Sequence, residues 1–188
     1  LTRALGDPEV RVRQSAAEAL VEYGTDAIAP LVETLQSHGG RSAPYALWAL
    51  GAAASSGHPK AVQELVKAIH FPQWGIRWSA VESLGDVGGP AAIDALTEAL
   101  ADRDERVRTA AQAALIKIGQ PAVKPLSGAL RHPDPTCRKA AKRLLLQINT
   151  PEARTALRRQ QLVSLLPVLT VGFGLLLIAL WFLARFIW

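Results

Sequence analysis

The sequence predicts an all-α protein, built as a short α-solenoid of about five stacked helix pairs followed by one transmembrane helix. A two-helix pattern recurs along residues 1–160, and such a pair buries its apolar face only by stacking on a neighbouring pair. A stretch without any charged residue then occupies residues 162–184. We therefore divide the chain into a repeat domain at 1–160 and a membrane segment with a short tail at 161–188.

Four similar segments define the first helix of the pairs. Within each segment, apolar residues follow one another at spacings of three and four, which predicts a helix with one buried face. Each segment also has an alanine-containing centre, and small residues there allow neighbouring helices to pack closely. The segments are DPEVRVRQSAAEALVEYG at 7–24, FPQWGIRWSAVESLGDVG at 71–88, DRDERVRTAAQAALIKIG at 102–119 and PDPTCRKAAKRLLLQIN at 133–149.

A second helix follows each first helix. Glycines close three of the first helices, where a positive φ is expected, and prolines lie near the start of three second helices. These glycines are Gly24, Gly88 and Gly119, and the prolines are Pro59, Pro90 and Pro121. The second-helix segments are TDAIAPLVETL at 25–35, HPKAVQELVKAI at 58–69, GPAAIDALTEAL at 89–100, QPAVKPLSGAL at 120–130 and a degenerate TPEARTALRRQ at 150–160.

The pattern resembles the HEAT repeat, specifically the short HEAT-like form of phycobilisome lyase subunits and many bacterial scaffold proteins. The D-P-E-V-R-V-R run at 7–13, the A-A-x-x-A-L core seen at 110–115 and the following I-G or Y-G carry the resemblance. It covers about residues 1–160 and is far more specific for fold than for function. The resemblance implies a stabilising ladder between repeats, formed by Asp7, Asp102 and Asp134 with Arg13, Arg108 and Arg138.

Repeats two and three depart from the pattern by placing aromatic residues at positions that other repeats fill with polar or small ones. Large aromatic side chains are favoured at protein interfaces, so we predict a partner-binding site formed by Tyr45, Trp48, Trp74 and Trp78. The alternative is that these rings fill a packing gap left by the small residues of ALWALGAAASSG at 46–57. The sequence leaves both interpretations open.

Charge is unevenly distributed. Residues 1–116 hold 10 Lys and Arg against 14 Asp and Glu, whereas residues 117–161 hold 10 against 2. A basic patch beside a membrane segment is typical of contact with anionic lipid headgroups, and nucleic acid, the alternative, would need a reading motif that is absent. The predicted headgroup-binding residues are Lys139, Lys142, Arg143, Arg154, Arg158 and Arg159.

The uncharged stretch of 23 residues is long enough for a helix of roughly 34 Å, against a hydrocarbon core of about 30 Å. A buried core helix is the alternative, but such helices seldom lack a polar face. The basic residues before the stretch predict that the repeat domain is cytoplasmic and that the C-terminus barely crosses to the other side. Residues used in this prediction are Leu162, Pro167, Gly172, Gly174 and Trp181.

The sequence offers no catalytic motif. None of the four histidines forms an HxxxH or HExxH pair, and the single Cys137 cannot make an internal disulfide, which suits a reducing compartment. Basic neighbours would lower the pKa of Cys137, although a structural role suits a repeat position better. We therefore expect no metal, no cofactor, no small-molecule substrate and no enzymatic activity.

The leading hypothesis is a single-pass, membrane-anchored scaffold for protein–protein interaction, acting as an accessory or assembly subunit of a photosynthetic or respiratory membrane complex. Its expected partners are other subunits and membrane lipid. One alternative is a helper resembling a phycobilin lyase that acts on a pigment protein, and another is an adaptor that engages anionic lipid. Because the sequence starts without Met inside an expected helix, we also expect further chain upstream of Leu1.

Overall fold

The computed structural model describes residues 1–38 and 40–161. These residues form ten α-helices with short 3₁₀ segments at Thr2–Gly6, Ala99–Ala101 and Gln120–Ala122, and they contain no β-strand. The helices are α1 Val10–Glu22, α2 Thr25–His38, α3 Ala43–Ser55, α4 Pro59–Ala68, α5 Trp74–Val87, α6 Gly89–Glu98, α7 Glu105–Ile118, α8 Val123–Ala129, α9 Pro135–Ile148 and α10 at 151–161.

The helices stack as pairs in two layers. The first helices α1, α3, α5, α7 and α9 pack on one another in that order, and the second helices α2, α4, α6 and α8 form a parallel row. Buried leucines and alanines from both layers make a single continuous core. This arrangement confirms the predicted all-α solenoid of repeats, because each pair buries its apolar face against the next pair.

The residues that close the first helices behave as the sequence predicts. Gly24, Gly88 and Gly119 have φ of 56°, 62° and 72°, a region that L-residues with a Cβ rarely adopt. In repeat five the same place is taken by Asn149, with φ of 52°. Asn is the side chain that best tolerates this conformation after glycine, so the repeat geometry continues to α10.

Glycines inside two first helices let neighbouring repeats approach closely. A Cβ added to Gly85 of α5 would lie 2.8 Å from the Cβ of Ala114 in α7. A Cβ added to Gly51 of α3 would lie 3.0 Å from the Cβ of Ser83 in α5. Ser83 also donates a hydrogen bond of 3.1 Å to the carbonyl of Leu47. The α3–α5–α7 stack is therefore the most closely fitted part of the first-helix layer.

The arginine ladder implied by the family resemblance does not form as expected. Arg13, Arg108 and Arg138 each donate to two carbonyls of the turn that precedes their own helix, at 2.6–3.1 Å. A buried ion pair that links two repeats joins Arg77 to Asp102, with Nε–Oδ2 of 2.7 Å. Asp134 instead accepts from the backbone N–H of Thr136 at 2.7 Å and caps α9.

Candidate protein-interaction surface

Four aromatic side chains of repeats two and three lie on the layer of first helices. Tyr45 and Trp48 belong to α3, and Trp74 and Trp78 belong to α5. The three tryptophans are 50%, 43% and 40% exposed, in chain order. Tyr45 is half-buried and packs against the core. We call these four residues the aromatic surface, of which the tryptophans are partly open to solvent and Tyr45 is the packed member.

Two adjoining grooves run along the aromatic surface. The larger has a volume of about 870 Å³ and is bounded by Trp74, Trp78 and the turn before α7. The smaller has a volume of about 350 Å³ and lies between α1 and α3, beside Tyr45 and Trp48. Pro44 lines both grooves. The aromatic surface is therefore one continuous region and not two separate patches.

The repeat pattern explains why the tryptophans are exposed. Trp48 occupies the helix position that other repeats fill with Glu18, Glu82, Ala113 and Arg143. Glu18, Glu82 and Arg143 are exposed, so this position faces outward in the layer regardless of the side chain that occupies it. A large apolar ring at an outward position leaves apolar area in water, and such exposed area on a soluble domain typically marks a contact site.

Arginines from the flanking repeats cover two of the rings. The guanidinium carbon of Arg106 lies 3.3 Å from the centroid of the Trp74 ring, and that of Arg13 lies 5.1 Å from the Tyr45 centroid. Asp104 holds Arg106 in place through Nε–Oδ1 of 3.0 Å and Nη2–Oδ2 of 2.8 Å. These hydrogen bonds from Arg106 lower the pKa of Asp104 to about 2. Cation–π contacts of this kind fix the position of a ring.

A buried ion pair supports the larger groove from below. Arg77 and Asp102 have side chains that are 5% and 9% exposed, and their second contact is Nη2–Oδ1 at 2.9 Å. The remaining Nη1 of Arg77 donates to the carbonyls of Phe71 and Pro72 at 2.9 and 2.8 Å. Arg103 also donates to the Pro72 carbonyl. These contacts hold together the turns before α5 and α7, whose residues line the larger groove.

Ionisation of this pair follows from its contacts. Burial acts to raise the pKa of Asp102, but the hydrogen bond from Arg77, the one from the Asp104 backbone N–H and the charge of Arg77 outweigh it, so the pKa lies below its ordinary value. The hydrogen bond to Asp102 raises the pKa of Arg77. The lowered pKa of Asp102 and the raised pKa of Arg77 both favour the ionised form of the pair.

Sequence reasoning missed the residues that hold the aromatic surface in place. Asp102 was named in the ladder that the family resemblance implies, but Arg77 was not. Asp104 and Arg106 were not singled out, although an aspartate before a helical run is a local signal for an N-cap. Their link to Trp74 depends on the stacking of α7 beside α5, which a single sequence does not reveal.

The six basic residues predicted to meet lipid headgroups are exposed on the last repeat. They fall on two neighbouring helices, and Arg154 also donates to the side chain of Asn149 at 3.0 Å. Contact with lipid stays a prediction. Lys139, Lys142 and Arg143 belong to α9, and Arg154, Arg158 and Arg159 belong to α10.

The predicted membrane segment falls outside the described residues, including Leu162, Pro167, Gly172, Gly174 and Trp181. Within residues 1–38 and 40–161, none of the helices combines the length and the apolar character that crossing a membrane requires.

The described part of the chain contains no cluster of three or more His, Cys, Asp or Glu side chains that could hold a metal ion. Cys137 is 1% exposed in the core of α9. Burial raises the pKa of its thiol. The lower pKa that the sequence predicted from its basic neighbours is therefore not found. Cys137 is therefore a small apolar packing residue.

Comparisons with known proteins agree with this architecture. Residues 42–116 match the family model for HEAT repeats, and residues 12–37 match the model for the PBS lyase HEAT-like repeat. These two stretches of the chain are thus similar to HEAT repeats. A search of curated proteins gives no significant match.

Three solved structures are similar to this chain at low sequence identity, and one of them has a TM-score above 0.5. The complex of CpcE and CpcF of phycocyanin lyase from Nostoc sp. contains a chain that is 21% identical, with a TM-score of 0.54, covering 78% of this chain and 94% of that one. An engineered protein is 23% identical with a TM-score of 0.48, covering 89% and 86%. A designed armadillo repeat protein in complex with a peptide is 20% identical with a TM-score of 0.43, covering 87% of each chain.

Proposed function

We propose that this chain is a non-enzymatic, membrane-anchored scaffold that binds a protein partner through the aromatic surface of α3 and α5. The observation that carries the proposal is the exposure of Trp48, Trp74 and Trp78, at 50%, 43% and 40%, on one continuous pair of grooves. Tryptophan is among the residues that contribute most to binding at protein interfaces. Repeat solenoids also bind partners on extended surfaces formed by several repeats.

The membrane part of the proposal rests on the sequence of 162–184, which is uncharged and of spanning length. Exposed basic residues on α9 and α10 precede it directly, and basic residues favour the cytoplasmic side of a membrane. In this arrangement the repeat domain faces the cytoplasm, and Arg154, Arg158 and Arg159 lie close to the headgroups. The partner is then another subunit of a membrane complex, photosynthetic or respiratory, to which this chain is an accessory or assembly subunit.

A double variant, Trp48→Ala with Trp78→Ala, tests the partner site. We expect partner recovery to fall by at least tenfold after extraction in a gentle detergent, since tryptophan hot spots contribute about 2 kcal/mol or more each. The measurement is the amount of each stoichiometric protein that co-purifies with wild type and variant. Both rings are about half exposed, so their removal is expected to leave the helical circular dichroism and the melting temperature nearly unchanged.

The matched control is Tyr23→Ala, which removes an aromatic side chain that is 63% exposed at the end of α1 and outside both grooves. This variant is expected to retain the partner. Equal recovery from wild type, control and double variant would contradict the partner site. A double variant that melts many degrees lower would show that the rings belong to the core.

Shortening the chain after Gln161 tests the anchor. In a chain that also carries Trp48→Ala and Trp78→Ala, which removes the proposed partner contact, we expect the shortened protein to leave the membrane fraction. Only the basic surface would then hold it, and an electrostatic attachment weakens as salt screens the charges. Sedimentation of membranes at low and high salt measures this. Persistent attachment of the shortened protein at high salt would contradict the assignment of 162–184 as the anchor.

A second candidate is a helper for attaching a chromophore to a pigment protein. It is favoured by the larger groove, whose volume of about 870 Å³ lies within the range of about 300–1,000 Å³ that is typical of ligand sites, and by the structural likeness to the CpcE and CpcF complex. Mixing the protein with a tetrapyrrole tests it. A shifted absorption spectrum that is lost in Trp74→Ala would support this candidate, and an unchanged spectrum would reject it.

A further inference from the structure

The four rings of the aromatic surface divide into two kinds. Tyr45 and Trp74 each have an arginine of this chain against them, Arg13 and Arg106. Trp48 has no stacked cation from any described residue, although it is the most exposed tryptophan of the surface, at 50%. Two of the four rings therefore have an internal cation, whereas Trp48 and Trp78 have none from a described residue. Of these two, Trp48 is the more exposed, at 50% against 40%.

The surroundings of Trp48 are suited to a cation. The groove between α1 and α3 is lined by Gln14, Ala17, Glu18, Pro44, Tyr45 and Trp48. Glu18 is the only charged side chain among these lining residues, and it makes no hydrogen bond or ion pair with the described part of the chain. An aromatic face beside an unpaired carboxylate attracts a cation through the ring quadrupole and through the negative charge.

The nearest arginine of this chain does not occupy the groove. Arg13 lies over Tyr45 at 5.1 Å, but it does not line the groove. Its Nη1 donates to the carbonyls of Asp7 and Pro8 at 2.6 and 2.9 Å, which fixes the guanidinium at the turn before α1. The net charge of the groove lining is therefore negative.

We propose that this groove binds an arginine side chain of a partner protein, with the guanidinium stacked on Trp48 and bonded to Glu18. This inference rests on the proposed function and names the chemistry that the aromatic surface recognises. A volume of about 350 Å³ is at the lower limit of ligand sites, which suits one long side chain better than a cofactor. A purely apolar segment fits less well, because it would remove the Glu18 carboxylate from water without a partner.

The test uses the full chain in an uncharged detergent and a capped alanine pentapeptide with arginine at its centre. The readout is the indole N–H signal of Trp48 in a ¹H–¹⁵N correlation spectrum, assigned with Trp48→Phe. A matched peptide with citrulline removes the charge and keeps the shape. Glycerophosphocholine, a soluble lipid headgroup, is the third probe, because its quaternary ammonium is another cation that aromatic sites bind.

We expect the arginine peptide to bind at least fivefold more tightly than the citrulline peptide. Glu18→Gln is expected to weaken arginine binding about twofold to fivefold, as loss of a solvent-exposed ion pair does. Glu22→Gln, which removes the same charge one turn further along α1 and outside the groove, is expected to have little effect. These three results together would support the inference.

Equal binding of the arginine and citrulline peptides, or equal effects of Glu18→Gln and Glu22→Gln, would overturn it. Binding of glycerophosphocholine without binding of the arginine peptide would also overturn it, in favour of a lipid ligand. These outcomes are separable from failure of the proposed function. If the peptides do not bind while the double tryptophan variant still loses its partner, the aromatic surface remains the partner site. Only the inference that it binds an arginine side chain would then be rejected.

Discussion

Replacing Asp102 by Asn is expected to lower the free energy of unfolding by about 3–5 kcal/mol. The substitution keeps the shape of the side chain and removes its charge, which leaves the Arg77 guanidinium buried without a counter-ion. Both side chains are less than a tenth exposed, at 5% and 9%, so water does not replace the lost partner. Chemical denaturation followed by circular dichroism measures the change.

The chain provides a control for this prediction in a second ion pair between the same two repeats, which joins α5 to α7. Lys117 and Asp86 are joined at 2.8 Å, but their side chains are 68% and 74% exposed. Solvent screens such a pair, and exposed pairs contribute about 0–1 kcal/mol. Asp86→Asn should therefore be nearly neutral. If both substitutions cost the same, burial of the Arg77–Asp102 pair would not be the source of its contribution.

The same pair predicts how stability depends on pH. The pKa of Asp102 is lower in the folded protein than its ordinary value of 3.8, so its contribution is fully present above that value and is lost as the pH falls through the lower, folded value. The difference in stability between wild type and Asp102→Asn should be constant from pH 5 to 8 and shrink below about pH 4. A difference that grows on acidification would contradict the assigned charge state.

Gly85→Ala is expected to destabilise the domain by about 1–3 kcal/mol, the usual cost of inserting a methyl group into a filled space. The new Cβ would lie 2.8 Å from the Cβ of Ala114 on the facing helix. Neither atom belongs to a flexible side chain, so α5 and α7 must move apart. Thermal unfolding of the variant measures this effect.

Gly75→Ala is the matched substitution in the same helix. A Cβ there would meet nothing within 4 Å, and alanine is a better helix former than glycine by up to about 1 kcal/mol. We expect this variant to be neutral or slightly stabilised. Equal destabilisation at positions 75 and 85 would point to a general intolerance of α5 and against the close helix contact.

The sequence predicts much of the fold because each repeat contains its own local signals. The positive φ at Gly24, Gly88 and Gly119 follows from glycine at the end of an amphipathic run. Stacking follows because no pair can bury its face alone. These are short-range features, and their recurrence in the copies makes each one easier to recognise.

The candidate site is less predictable because it depends on how neighbouring repeats fit together. The outward position of Trp48 is readable from the alignment with Glu18 and Glu82, whereas the pairing of Arg77 with Asp102 spans 25 residues and two repeats. The family resemblance implied a ladder of aspartates and arginines between repeats, but Arg108 donates to backbone carbonyls instead. The register between adjacent helices decides such contacts.

Site-specific photocrosslinking would detect a partner on the aromatic surface without removing the partner from the membrane. A photoreactive phenylalanine derivative would replace Trp48 or Trp78 in the full chain in its native membrane. Lys124 of α8, which lies in the second-helix layer, would be replaced as a control. We predict that positions 48 and 78 crosslink to the same protein and that position 124 does not. Crosslinking from position 124, with none from the two tryptophan positions, would contradict the account.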